Sequence, residues 1–184
     1  MRRHQTGQAL LSTVMGMALS LAIIGSVVKL IGLVFAQQDS YVMTEILTDA
    51  IATVRTVGAG QIYTRIDATT LRTSERFADA PAVSGSRLQV GPVILQAGMV
   101  SAPFSSTYGN GRFFELRVSP MTPSQCQDVA RFLAQSALGL QVGSTVLLDR
   151  MAETPVEFPS NLATREQLLR TACGASPLIT GVYR

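Results

Sequence analysis

The chain is 184 residues long, 47% hydrophobic and only 15% charged. Its formal charge is +3, but Arg2 and Arg3 supply two of the 15 basic side chains, and the other 13 face 12 acids. Away from those two arginines the chain is near neutral, without the basic footprint of a nucleic-acid binder. Its length suits one membrane segment plus one small domain.

The N-terminus is ordered in an unusual way. Met1-Arg2-Arg3-His4-Gln5-Thr6 precedes Gly7-Gln8, and Ala9–Val28 then runs without a formal charge. As an α-helix that run spans about 30 Å, the thickness of a bilayer's hydrocarbon core. Ser12, Thr13, Ser20 and Ser26 can return hydrogen bonds to carbonyls one turn back, so they do not exclude a membrane helix. Arg2 and Arg3 stand ahead of the run, and the first acid is Asp39. The positive-inside bias therefore predicts a cytoplasmic N-terminus and an exported remainder. Lys29, at the far end, can snorkel to the interface. Ser12, Gly16 and Ser20 place a small residue every fourth position. Such spacing suits close helix packing, and equally the ordinary composition of a membrane helix.

Helical periodicity continues past the membrane edge. Val42, Ile46, Ala50 and Val54 recur every four residues, with Met43, Leu47 and Ile51 beside them. This predicts an amphipathic helix ended by Gly58 and Gly60. No proline lies between Gln8 and Val57, so one helix of about 50 residues, about 75 Å long, is allowed. Four parts follow: a leader at 1–7, a hydrophobic helix at 8–36, its amphipathic continuation at 37–58, and a C-terminal domain at 59–184.

Residues 59–110 read as loop-rich, with a short helix at Thr70–Phe77 and strands at Arg87–Val90 and Val93–Gln96. Asn110-Gly111, a hairpin signal, precedes the clearest strand, Arg112–Val118. Thr122-Pro123-Ser124-Gln125 reads as a helix start, with Thr122 as cap, Pro123 at the first position and Gln125 completing a capping box. Cys126, Val129, Ala130, Leu133 and Ala137 follow at helical spacing, and Gly139 is expected to close the helix. A strand at Val146–Leu148 comes next, then a loop at Pro155 to Pro159. A second helix is expected at Thr164–Cys173, with Leu168, Leu169 and Ala172 inward and Gly174 as its end, and then a last strand at Ile179–Tyr183. The fold expected is α+β, a long N-terminal helix laid on a small antiparallel sheet.

Cys126 and Cys173 both lie in the exported part. In an oxidising compartment they form one disulfide, bounding residues 126–173; the alternative is two buried thiols. Enzyme chemistry lacks candidates. The single histidine is His4, so the rest of the chain offers no histidine-based triad or metal site. Glu153 and Glu157 read as solvated loop acids, and Gly109-Asn110-Gly111 as a turn rather than a phosphate loop. No catalytic, metal or cofactor-binding residue is assigned.

A short basic leader ending in glycine, followed at once by a hydrophobic helix, resembles the type IV pilins. Gly7-Gln8-Ala9-Leu10-Leu11 matches their processing frame, which implies a cut after Gly7 by prepilin peptidase. The cysteine neighbourhoods Thr122-Pro123-Ser124-Gln125-Cys126 and Leu169-Arg170-Thr171-Ala172-Cys173 are similar to those of type IVb pilins, especially of conjugative thin pili. The resemblance implies a pilin fold and a non-enzymatic subunit assembled through its apolar helix. It implies partners in other pilin subunits, prepilin peptidase and the pilus assembly machinery. It also implies residence in the bacterial inner membrane before assembly, and in an extracellular pilus afterwards. The family usually carries glutamate at the fifth mature position, where a carboxylate neutralises a neighbour's N-terminal ammonium inside the bilayer; here that position is Ser12. Both Ser12 and Gln8 fit a minor or tip-located subunit, and also a divergent major one.

Two other readings of the N-terminus stay open. Val34-Phe35-Ala36 has the small-x-small pattern of a signal peptidase site, which would release a periplasmic binding domain starting at Gln37. On that reading the Val42–Val57 stripe is expected to become an isolated N-terminal helix. The third reading is a plain single-pass anchor with no cleavage.

Overall fold

The predicted stripe is buried. In the computed structural model, residues 41–58 form a helix, α1. Met43, Ile46, Leu47, Ala50, Ile51 and Val54 are each at most 6% exposed, while Val42, at the head of the stripe, is 44% exposed. The structure describes residues 41–58, 63, 66–84, 86–91, 93–119, 122–175 and 178–184, all within the unit Ser40–Arg184. Among these residues no helix is long and apolar enough to cross a membrane; the run Ala9–Val28 lies outside them.

After α1 come a one-turn helix α2 (Ala68–Leu71), a 3-10 turn (Glu75–Phe77) and three strands, β1 (Ala82–Ser84), β2 (Arg87–Val90) and β3 (Val93–Met99). A short helix α3 (Ser105–Tyr108) precedes β4 (Phe114–Ser119). Then follow α4 (Pro123–Ser136), β5 (Gly139–Val142), β6 (Thr145–Asp149), α5 (Leu162–Ala175) and β7 (Ile179–Tyr183). The seven strands form one sheet, ordered β1-β2-β3-β4-β7-β5-β6, in which every pairing is antiparallel. The fold is α+β. The last strand of the chain is not an edge. It lies between β4 and β5 and joins the β1–β4 meander to the β5–β6 hairpin.

The two faces of the sheet follow from the period-two alternation of strands. Leu88, Leu95, Leu116, Val118, Leu140, Ile179 and Tyr183 point to one face. There they join α1, Val129 and Leu133 of α4, and Leu169 of α5 in the main core. Val182 points to the other face, where Phe104, Tyr108 and Phe113 form a smaller cluster with it. Because the α1 stripe belongs to the main core from Met43 onward, this helix is no isolated extension. It would remain integral to the domain even in a chain beginning at Gln37.

Several local expectations are corrected. The helix expected over Thr70–Phe77 is split into α2 and the 3-10 turn. Asp67 caps α2, accepting from the backbone N–H groups of Thr69 and Thr70, and fixes an earlier start. Asn110-Gly111 does not close a two-residue hairpin. Met99 pairs with Phe114, so residues 100–113, including α3, connect β3 to β4; Gly111 still takes a positive φ of 75°. Two-residue reversals lie instead between Val90 and Val93, where Gly91 has φ 58°, and between Val142 and Thr145, where Gly143 has φ 57°. Gly139 opens β5 rather than closing α4. A Cβ there would lie 2.9 Å from the Phe104 ring, so the glycine is required by close approach and not by helix termination. Gly174 does not end α5, which continues to Ala175.

Candidate functional site

The disulfide region is built by two antiparallel capping events. Thr122 accepts from Gln125 N–H, and the Gln125 side chain accepts from Thr122 N–H, with Pro123 at the first helical position. This box starts α4 and places Cys126 in its first turn, facing the core. Asn161 accepts from the N–H groups of Ala163 and Thr164 and starts α5, which carries Cys173 to its last turns. The two sulfurs are at disulfide distance, 2.01 Å, with Cα atoms 5.8 Å apart. Both cysteines are fully buried. Arg131 on α4 reaches Glu166 on α5, Nε to Oε1 3.2 Å, and ties the same two helices on their outer side.

The outward face of α1 is polar but partly self-satisfied. The hydroxyls of Thr48, Thr53 and Thr56 donate to the carbonyls of Thr44, Asp49 and Ala52, one turn back. Arg76 pairs with both Glu45 and Asp49 at 2.8 Å, clamping the 3-10 turn to the helix. The Arg76 hydrogen bond and charge hold the Glu45 carboxyl below its usual range. Such exposed pairs contribute little to stability. Tyr41 is 77% exposed at the start of the described helix.

The second face of the sheet carries buried polar groups of its own. Glu115 is 4% exposed; its carboxylate accepts from Ser101 N–H at 2.9 Å and from Ser101 Oγ at 3.0 Å. Arg117 Nε lies 2.8 Å from Glu115 Oε1, an ion pair rather than an aligned hydrogen bond. Together these groups pin the start of the 100–113 connection to β4. At its far side Tyr108 donates to Asp149 Oδ1 at 2.7 Å, while Met151 N–H donates to the phenol oxygen at 3.2 Å. Burial, reinforced by the Asp149 carboxylate, pushes the Tyr108 phenol up to about 12.

The residues singled out in the sequence fall in two groups. Cys126 and Cys173 are brought together. Gly7, Gln8, Ser12, Gly16 and Ser20 lie outside the described residues. The chain matches no family model, no curated protein and no solved structure. Among the described residues no three histidine, cysteine, aspartate or glutamate side chains gather as a metal site. Sequence reading missed the Glu115–Arg117–Ser101 group, because Ser101 and Glu115 are 14 positions apart and meet only through the β3–β4 register. The alternation in Phe114-Glu115-Leu116-Arg117-Val118 was the available signal: it places both charges on one face, opposite the core.

Proposed function

We infer that the chain is a structural subunit of a type IVb-like pilus, inserted in the inner membrane as a prepilin, cut after Gly7 and assembled through its apolar N-terminal helix. The observation that carries this reading is the order of parts at the N-terminus. A basic leader and Gly7-Gln8 stand directly before the charge-free run Ala9–Val28, with an amphipathic stripe beyond it. Support comes from the role of that stripe, which packs on an antiparallel sheet as the helix of a pilin head would. The cysteine pair linking the start of α4 to the end of α5 is consistent with the same family pattern.

In this reading the apolar surface of residues 9–28 is buried first in lipid and then among neighbouring subunits. At about 25 cal/mol per Å² of apolar surface, a 20-residue apolar helix supplies a large association term, and the subunit needs no chemistry of its own. The packing of α1 is compatible with a start at Gln8 and with one at Gln37, so processing decides between pilin and secreted domain. The test is Gly7→Val in the native host. The pilin reading predicts uncut precursor held in the membrane and no incorporation into fibres; unaltered processing of the variant removes the reading.

A further inference from the structure

One row of side chains crosses the second face of the sheet in register. Arg87 on β2 pairs with Gln96 on β3, Gln96 with Arg117 on β4, Arg117 with Thr180 on β7, and Thr180 with Gln141 on β5. Neighbouring strands lie about 4.8 Å apart, so the two arginines flank β3 at about 10 Å. Between them is a concavity of about 120 Å³, walled by Ile94 and Leu178 and reached by Gln96 and Ser119. That is well above the roughly 10–15 Å³ that one water needs on the same kind of measure, so a small group such as a carboxylate fits there. The 100–113 connection covers the far end of this face, over Val182, and Thr180 is buried; the accessible end of the row is Arg87, with Gln96 and Arg117 half-buried beside it.

The charges there are unequal in what they can still do. Arg117 is fixed by the buried Glu115 and by Ser101, which leaves it an oriented but largely neutralised wall. Arg87 is exposed, and its hydrogen-bond partner among the described residues is the neutral Gln96, Nε to Oε1 3.3 Å. The net charge of the row is therefore positive and concentrated at Arg87. No aromatic ring lies in the row, so it offers nothing for nucleobases to stack on.

We propose that the accessible end of this row binds an acidic polysaccharide, with a sugar carboxylate paired to Arg87 against the oriented wall of Arg117 and the adjoining hydroxyls hydrogen-bonded by Gln96 and Ser119. A guanidinium fork matches a carboxylate in charge and geometry, and neutral amides and hydroxyls match sugar hydroxyls. The proposal does not rest on pilus assembly. The row lies in the domain that processing after Gly7 or after Ala36 leaves intact, so its failure and that of the pilin reading are separate results.

The experiment is a binding titration of the full-length chain in non-ionic detergent. The probes are an oligogalacturonate, a neutral maltooligosaccharide of the same length, and inorganic phosphate. The oligogalacturonate is expected to bind best, and more weakly as salt is raised. Arg87→Glu is expected to weaken it by about tenfold or more, the scale of one lost hydrogen bond to a charged group. Gln96→Ala, which keeps the charge, is expected to weaken it less. Arg170→Glu makes the same charge change on exposed α5, across the sheet, and is expected to leave binding unchanged. Equal losses in Arg87→Glu and Arg170→Glu would overturn the proposal, because overall charge would then explain the binding. So would equal binding of the neutral oligomer, equal binding of phosphate alone, or no binding of the oligogalacturonate.

Discussion

Tyr108 and Tyr183 are both fully buried phenols, and they differ in what their hydroxyls meet. Tyr108 is partnered by Asp149 and Met151, whereas the Tyr183 hydroxyl has no hydrogen-bond partner among the described residues and lies over Gly181. An unpaired buried polar atom costs free energy, and removing it does not. Tyr183→Phe is therefore expected to leave stability unchanged or raise it by about 1 kcal/mol, while Tyr108→Phe lowers it by about 1–2 kcal/mol; chemical denaturation of the two variants checks the contrast. Tyr108 also sets an alkaline limit. Its folded value, about 12, lies above the ordinary phenol value near 10. The folded state thus keeps a proton that the unfolded state has lost. The stabilisation is complete below about pH 10 and disappears as pH rises through about 12. Thermal melts across that window should fall in the wild type and fall less steeply in Tyr108→Phe. On the same face Glu115→Ala strands Ser101 N–H and the Arg117 guanidinium. With Arg117 30% exposed, the expected loss is about 2 kcal/mol, less than for a fully buried pair. An unchanged unfolding midpoint would mean that the 100–113 connection is held by its aromatic cluster alone.

At the scale of elements, the disulfide joins the start of α4 to the end of α5 over a sequence separation of 47. Closing such a loop stabilises the fold by roughly 4 kcal/mol on the chain-entropy account. Cys126→Ser should lower the melting temperature under oxidising conditions and match the reduced wild type; equal melting of oxidised wild type and variant would argue against the bridge. Elements with strong local signals were legible in the sequence. The Thr122–Gln125 capping box, the α1 stripe and the strands at 87–90 and 179–183 stand where periodicity and caps placed them. Elements decided by distant contacts were not. Gly139 is a strand glycine because Phe104, 35 positions earlier, lies against it, and nothing near Gly139 in sequence reports that ring. The three-residue β1, wholly exposed and irregular in register, buries too little to leave a hydrophobic pattern. Asn110-Gly111 marked a real reversal of backbone, at Gly111, but could not reveal that α3 is inserted before it.

At the scale of the molecule, the sheet is completed by the last residues of the chain. β7 pairs with both β4 and β5, and among the described residues no other strand joins the two halves. Deleting residues 179–184 should therefore abolish cooperative unfolding rather than merely trim an edge, and a retained sharp transition would show that the halves associate without it. The sequence shows which strands alternate, but not that the last one lies centrally, because strand order is a long-range property. Of the candidate site, the cysteines were legible from composition and compartment. The polar row needed the register of five strands before its members could be seen as neighbours. Assembly into a pilus would depend on a processing event at the other end of the chain. Intact-mass and N-terminal peptide mass spectrometry of the protein from its native host tests it most directly. The account predicts a mature chain beginning at Gln8, and a chain beginning at Gln37, or one still carrying Met1, contradicts it.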